Sequence, residues 1–155
     1  ITNRNMLLWD GACHVHEKFS VEKIIELKKQ YPDADVLVHP ECKGAVAKLA
    51  DKVGSTAGLL KHAIASDKKN FIVATESGIL YEMRKKCPEK NFIPATPEDS
   101  TCACNECNFM RLNTLEELYN TWKYECPEVI VDNEIADKAI RPIKKMLEIS
   151  AKLGL

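Results

Sequence analysis

Short apolar runs alternate with amphipathic helical patterns over the first two thirds of the chain. The strand-like runs are "NMLLWDG", "DVLVHPE", "KVGST", "NFIVATE" and "NFIPAT", and the helical patterns between them are "SVEKIIELKKQYP", "CKGAVAKLADK", "TAGLLKHAIAS" and "GILYEMRKKCP". Strands separated by helices of about 10 to 15 residues are typical of right-handed βαβ units. The pattern therefore predicts an α/β fold, a three-layer αβα lobe with a short parallel sheet.

The last third of the chain contains helical patterns without strands. In "NTLEELYNTWKYECP" the apolar residues recur at helical spacing, and Thr114 and Glu117 have the spacing of a capping box. "DNEIADKAIRPIKKMLEISAKLGL" predicts a second helix, broken or kinked near Pro142 and ending at Gly154. Both helices carry apolar stripes, so we expect these C-terminal helices to pack on the predicted sheet or on a part missing from this chain.

Composition excludes several classes of protein. The 155 residues include 22 basic and 23 acidic ones, without the basic run that nucleic acids or anionic membranes attract. No apolar run approaches the roughly 20 residues needed to span a bilayer, and no cleavage site follows the first residues, so we expect a cytoplasmic protein. Seven cysteines form an odd set, which favours thiol ligands or buried thiols over a secreted disulfide scaffold.

Chemically versatile side chains follow five consecutive predicted strands. In chain order they are Cys13, His14 and His16; His39 and Glu41; Ser55 and Thr56; Thr75 and Glu76; and the cysteine loop "STCACNECNFM". In open parallel α/β sheets, ligands bind beyond the carboxyl ends of the strands, where helix N-termini present free N–H groups. The sequence therefore predicts a functional site at this edge of the sheet.

Each of these motifs also has a purely structural interpretation. "CHVH" suits a transition metal or an iron–sulfur cluster, but a buried cysteine beside surface histidines would give the same pattern. "HPE" offers an imidazole and a carboxylate for proton transfer, or only a turn fixed by Pro40. "GST" before a helix either caps that helix or cradles a phosphate.

The cysteine loop allows three interpretations. Cys102, Cys104 and Cys107 lack the further ligands of a zinc ribbon, so a self-contained zinc site would need Cys13 or a histidine as its fourth ligand. A disulfide between Cys104 and Cys107 would match a redox motif, but the pair does not precede a helix directly. An iron–sulfur cluster could draw thiolates from distant loops.

Six motifs in order resemble the quinolinate synthase family. They are "GACHVHEKF", "HPEC", "ADKVGSTAG", "ATESGI", "CACNECNFMRLNTLEELY" and "IADKAIRPIKKMLEIS", and together they span nearly the whole chain. The resemblance implies a 4Fe–4S enzyme of NAD biosynthesis that condenses iminoaspartate with dihydroxyacetone phosphate to quinolinate, losing water and phosphate. It also implies a fold of three similar αβα lobes around a central site. The iminoaspartate would be supplied by an L-aspartate oxidase.

The resemblance assigns expected roles to seven residues. They are the cluster ligands Cys13 and Cys107, the active-site histidine His16, the proton-handling pair His39 and Glu41, and the substrate or phosphate contacts Ser55 and Thr56. The family's cluster has three cysteine ligands for its four irons. The fourth iron would therefore have no protein ligand and could act as a Lewis acid.

Family members are considerably longer, and their N-terminal part supplies the third cluster cysteine and further substrate contacts. We therefore expect this sequence to be a fragment, inactive by itself, with residues 1–20 ending a preceding lobe. Residues 21–97 would form a complete αβα lobe, and residues 98–155 the cysteine loop and the C-terminal helices. The alternative is a standalone zinc- or metal-binding α/β module without catalysis, using Cys13, Cys102, Cys104 and Cys107.

Overall fold

The computed structural model describes residues 5–7, 9–97 and 105–154, and the chain divides into two compact units, residues 1–112 and 113–155. The helices and strands of the first unit are α1 (Val21–Gln30), β1 (Asp35–Val38), α2 (Gly44–Ala47), β2 (Lys52–Val53), α3 (Thr56–Ala65), β3 (Asn70–Ala74), α4 (Ile79–Lys86) and β4 (Asn91–Pro94). Those of the second unit are α5 (Leu115–Tyr124) and α6 (Asn133–Leu153). The predicted domain boundaries at residues 20/21 and 97/98 stay a prediction.

The four strands of the first unit form one parallel sheet in the order β2-β1-β3-β4. In register, Val38 at the end of β1 lies beside Val53 of β2 and Ala74 of β3. The carboxyl ends of the strands therefore lie along a single edge, and the loops that follow them meet there.

Residues of alternating parity fill the two faces of the sheet. On one face Val36, Val38, Ile72 and Ala74 pack with Ile24 of α1 and Val46 of α2. On the other face Leu37, Phe71, Val73 and Phe92 pack with Leu59, Ala63, Leu80 and Met83 of α3 and α4. Because side chains alternate across a strand, runs such as "FIVA" that are apolar at every position must be covered on both faces. The predicted three-layer αβα lobe is confirmed.

Two local predictions need correction. The stretch "NMLLWDG" forms no strand in its described residues, and Leu7 and Trp9 are almost fully exposed. An apolar run becomes a strand only where a neighbouring strand satisfies its backbone, and no described residue pairs with this one. The helix expected over "CKGAVAKLADK" is reduced to Gly44–Ala47, because Asp51 already lies at the sheet, its backbone N–H donating to Val36 and its side chain accepting from Val36 N–H.

The helices of the second unit match their predicted capping signals. Thr114 accepts a hydrogen bond from the Glu117 N–H, and Asp132 accepts from the first turn of α6. Helix α6 continues through Pro142 and ends at Gly154, whose φ of 69° suits glycine. The helix expected to be broken or kinked near Pro142 is therefore not broken, and the kink stays a prediction. Among the described residues, no helix has both the length and the apolar character needed to cross a membrane.

Candidate active site at the carboxyl edge of the sheet

An open cleft of about 710 Å³ lies at the carboxyl edge of the sheet. It is lined by residues that follow the strands, together with the start of α4 and the described end of the cysteine loop: Cys13, Val15, His16, His39, Glu41, Thr56, Thr75, Glu76, Gly78, Ile79, Glu82, Cys107 and Met110. Six of the seven expected site residues are among them. Pockets of about 300 to 1,000 Å³ are the usual size for small-molecule ligands.

His16 lies at the centre of a hydrogen-bonded group. It begins a short 3₁₀ turn, His16–Lys18, directly before the strand-like contact of Phe19 with Pro97, and it is 6% exposed. Its Nδ1 atom lies 2.9 Å from Glu41 Oε2, and its Nε2 atom lies 3.0 Å from Thr75 Oγ1. Both ring nitrogens are therefore engaged by polar side chains from two different strand ends.

His39 and Glu41 occupy the turn after β1. The His39 backbone N–H donates to Ala74 O at 3.1 Å, which fixes this turn beside the end of β3. The Glu41 N–H donates to His39 Nδ1 at 3.4 Å, while Glu41 Oε2 is 3.6 Å from the same nitrogen, beyond a hydrogen bond. The Glu41 side chain is 57% exposed, so it is the carboxylate of this group that solutes can reach.

Burial and neighbouring charge act together on His16. Burial lowers the pKa of His16 below its ordinary value of 6.5, and the positive charge of a protonated His39 lowers it further. The hydrogen bond to Glu41 and the charges of Glu41 and Glu76 oppose that shift without cancelling it. At neutral pH His16 is thus an uncharged imidazole.

Two half-buried thiols from distant loops, Cys13 and Cys107, line the same cleft. The Cys13 sulfur, a His16 ring nitrogen and a Glu41 oxygen lie within 4.8 Å of one another, a spacing that could hold a metal ion. Because His16 bonds through Nδ1 to Glu41 and through Nε2 to Thr75, its ring has no nitrogen left for a metal, and the thiols are the soft donors that remain. Thiolates are the ligands that iron–sulfur clusters take, so the two cysteines fit a cluster that also draws ligands from outside the described residues. Cys102 and Cys104 lie outside the described residues.

Ser55 and Thr56 have different positions. The Ser55 hydroxyl accepts a hydrogen bond from Gly58 N–H at 3.2 Å and caps α3. Thr56 is the first residue of α3 and lines the cleft, which Ser55 does not. The capping interpretation of "GST" is confirmed for Ser55, and the expected substrate contacts of both residues stay predictions.

Asn105 is a residue that the sequence did not point to; it does not line the cleft, but it supports the segment that carries Cys107. It is 4% exposed; its side-chain amide donates to Ala95 O, and its backbone carbonyl accepts from Ser77 N–H at 2.9 Å. Asparagine in a cysteine-rich loop gives no recognisable signal. Its bonds fasten the Cys107 segment to the ends of β3 and β4.

The remaining described cysteines and His62 have no place in the cleft. Cys42 and Cys87 are buried in the two faces of the core, and Cys126 is exposed in the second unit. Burial raises the pKa of the Cys42 thiol to about 11. His62 pairs with Asp35 at 3.0 Å, at the start of β1 and so at the opposite end of that strand.

The fold and the cleft define an α/β lobe whose strand ends bring thiols, imidazoles and carboxylates to one site. The family model described as "Quinolinate synthetase A protein" matches residues 1–148, and the chain belongs to this family. Curated proteins named quinolinate synthase are similar over nearly the whole chain. The protein from Chloroherpeton thalassium is 53% identical over 147 residues, which are 95% of this chain and 46% of that protein.

Two further relatives give the same result. The quinolinate synthase of a Synechococcus species is 49% identical over 97% of this chain and 47% of its own length, and that of Microcystis aeruginosa is 51% identical over 96% and 46%. The chain thus spans about half the length of the curated relatives it matches.

Proposed function

We propose that this chain supplies part of the active site of a quinolinate synthase, which condenses iminoaspartate with dihydroxyacetone phosphate to quinolinate. The observation that carries the proposal is the meeting of Cys13, His16, His39, Glu41 and Cys107 in one cleft, although they come from three separate segments of the chain. Iminoaspartate would come from an L-aspartate oxidase.

In this proposal Glu41 handles protons. Its carboxylate is exposed to the cleft and anchored by His16 at 2.9 Å, which is the arrangement of an oriented general base. It accepts a proton from a substrate carbon during condensation and returns it to a hydroxyl that leaves as water. His39 lies beside the carboxylate and stacks on His16, so it can relay a proton within the same group.

Cys13 and Cys107 would hold a 4Fe–4S cluster together with a thiolate from outside this chain. Bound there, the cluster would supply Lewis-acid chemistry at an open iron. The part of the chain described here supplies two thiols to the cleft, so the isolated chain is expected to be inactive.

Anionic substrates need positive potential, and the charged groups that line the cleft are Glu41, Glu76 and Glu82. No lysine or arginine is among the described lining residues. The N-terminal end of α3 reaches the cleft at Thr56, and helix N-termini attract phosphates and carboxylates. In this proposal, substrate anions are bound there and by groups outside the described residues.

The test joins this chain to the remaining portion of a relative's sequence and reconstitutes it anaerobically with iron and sulfide. Quinolinate should form from iminoaspartate and dihydroxyacetone phosphate, and Glu41→Gln should reduce the rate by about 100-fold or more. Glu89→Gln, at an exposed position between α4 and β4, is the matched control. One tightly bound zinc per chain without iron, and no quinolinate from the joined protein, would instead support a standalone zinc module.

A further inference from the structure

We propose that Thr75 is a positioning residue: its hydroxyl donates to His16 Nε2 and thereby holds the ring with its Nδ1–H directed at Glu41. The inference about His16 stands on the geometry alone, and its consequence for catalysis rests on the proposed function. The two distances involved are 3.0 Å for His16 Nε2 to Thr75 Oγ1 and 2.9 Å for His16 Nδ1 to Glu41 Oε2.

The direction of both bonds follows from the inventory of donors and acceptors. An ionised carboxylate can only accept, so the proton between His16 and Glu41 belongs to Nδ1. A neutral imidazole carries a single N–H, so Nε2 is then an acceptor. A threonine hydroxyl can rotate to donate or to accept, and here it must donate.

The Thr75 side chain has less conformational freedom than the Glu41 carboxylate. It directly follows β3, an inner strand paired with β1 and β4, and it is 2% exposed. Glu41, in contrast, lies in a turn with a 57% exposed side chain, which by itself would sample several rotamers. The sheet therefore fixes Thr75, Thr75 fixes the His16 ring, and the His16 ring restricts the orientation of the Glu41 side chain.

Removing the hydroxyl leaves a buried acceptor without a donor. Thr75→Val keeps the branched shape at Cβ but has nothing to offer His16 Nε2, and a buried unsatisfied polar atom is costly. The ring can relieve that cost by turning towards another donor, and a turned ring no longer donates from Nδ1 to Glu41. Moving the proton to Nε2 would not help, because valine offers no acceptor and Nδ1 would then face a carboxylate that can only accept. Thr75→Ser keeps the hydroxyl and is the matched rescue.

The experiment is ¹⁵N NMR of the 155-residue chain with labelled histidine, at a pH where His16 is neutral. The protonated and bare ring nitrogens of a neutral imidazole resonate far apart, so the tautomer can be read directly. Wild type and Thr75→Ser should show His16 protonated at Nδ1, whereas Thr75→Val should show a shifted, broadened or lost Nδ1–H signal because the ring is no longer held. A wild-type spectrum with the proton on Nε2, or a Thr75→Val spectrum identical to wild type, overturns the inference.

Should Thr75→Val fail to fold, as judged by circular dichroism, Thr75→Ala takes its place, because it also lacks the hydroxyl and is compared with Thr75→Ser in the same way. Activity of the joined protein separates this inference from the proposed function. If quinolinate forms, Thr75→Val should lower kcat about 10- to 100-fold with little change in KM, and Thr75→Ser should restore it. If no quinolinate forms but the Nδ1–H signal of His16 responds to Thr75→Val, the proposed function fails and the positioning role stands. If quinolinate forms and neither the Nδ1–H signal nor kcat responds to Thr75→Val, the positioning role fails alone.

Discussion

The imidazole rings of His16 and His39 are stacked, with their centroids 4.3 Å apart and their planes inclined by 10°. His16 is buried, and two charged rings at this separation would also repel each other. Both effects disfavour the imidazolium form of His16, and its pKa accordingly lies below 6.5.

The first prediction concerns the pH dependence of folding. Because the pKa of His16 is lower in the folded than in the unfolded chain, the unfolded chain binds more protons between that lowered pKa and 6.5. The contribution of His16 to stability is therefore fully present above about pH 6.5 and is lost as pH falls through this window. NMR titration of the His16 ring measures the shift directly.

Variants assign the cause of that shift. His39→Gln removes a positive neighbour and should raise the pKa of His16. His62→Gln, which affects the histidine paired with Asp35, should leave it unchanged. A His16 ring that titrates at or above 6.5 in the wild-type chain would contradict the prediction.

The sequence predicts features that depend on local patterns, and it does not predict features that depend on how distant segments pair. The αβα lobe was predictable because alternation of apolar runs and helices is a local signal. The gathering of His16, Glu41 and Thr75 at one edge of the sheet was predicted as well, but the hydrogen bonds between them were not. Those bonds depend on the strand order β2-β1-β3-β4, which places the ends of β1 and β3 side by side. The strand expected over "NMLLWDG" was wrong because apolar composition does not say whether a pairing partner exists.

A second prediction concerns cysteine reactivity. With its pKa raised to about 11, Cys42 has on the order of one thiolate per thousand molecules at pH 8, and its thiol donates to Ala74 O at 3.5 Å. Brief treatment of the folded chain with iodoacetamide should modify the exposed Cys126 and leave Cys42 unmodified until urea is added. Mass spectrometry of the digested chain shows both sites, and equal rates at the two cysteines would refute the prediction.

A third prediction concerns the core between the sheet and helices α3 and α4. Phe71 is fully buried and stacks on Phe92 with centroids 5.4 Å apart. Phe71→Ala should lower the free energy of unfolding by about 3 to 5 kcal/mol, since it removes buried area and leaves a cavity. Tyr81→Ala, at a 68% exposed position on α4, should change it by less than about 0.5 kcal/mol. Urea unfolding followed by circular dichroism compares the two, and similar costs would show that Phe71 does not hold this face together.

The fourth prediction separates capping from substrate binding at Ser55. Its hydroxyl is used by the Gly58 N–H, so Ser55→Ala should lower stability by about 1 kcal/mol, while Ser55→Thr should retain most of it. Thermal unfolding of both variants gives the comparison. No loss in Ser55→Ala, together with a raised KM in the joined protein, would show that the hydroxyl serves substrate and not the helix.

The last prediction concerns how Cys107 is held at the cleft. The buried side chain of Asn105 donates to Ala95 O, and its carbonyl accepts from Ser77 N–H. Asn105→Ala removes the first bond and leaves Ala95 O unpaired. This should lower the free energy of local opening of the segment by about 1 to 3 kcal/mol. The segment should then open more often, so the Ser77 amide should exchange with solvent about 5- to 100-fold faster, and Cys107 should be alkylated faster.

Glu106→Gln is the control for this change. It alters the adjacent residue, whose carboxylate pairs with a 61% exposed Arg111 side chain, and exposed ion pairs contribute little. The control should therefore leave both rates within about twofold of wild type. If Asn105→Ala also leaves them there, the hydrogen bonds of Asn105 do not set the position of Cys107. The thiol would then depend on contacts of its own side chain with the core face that contains Val15 and Ala95.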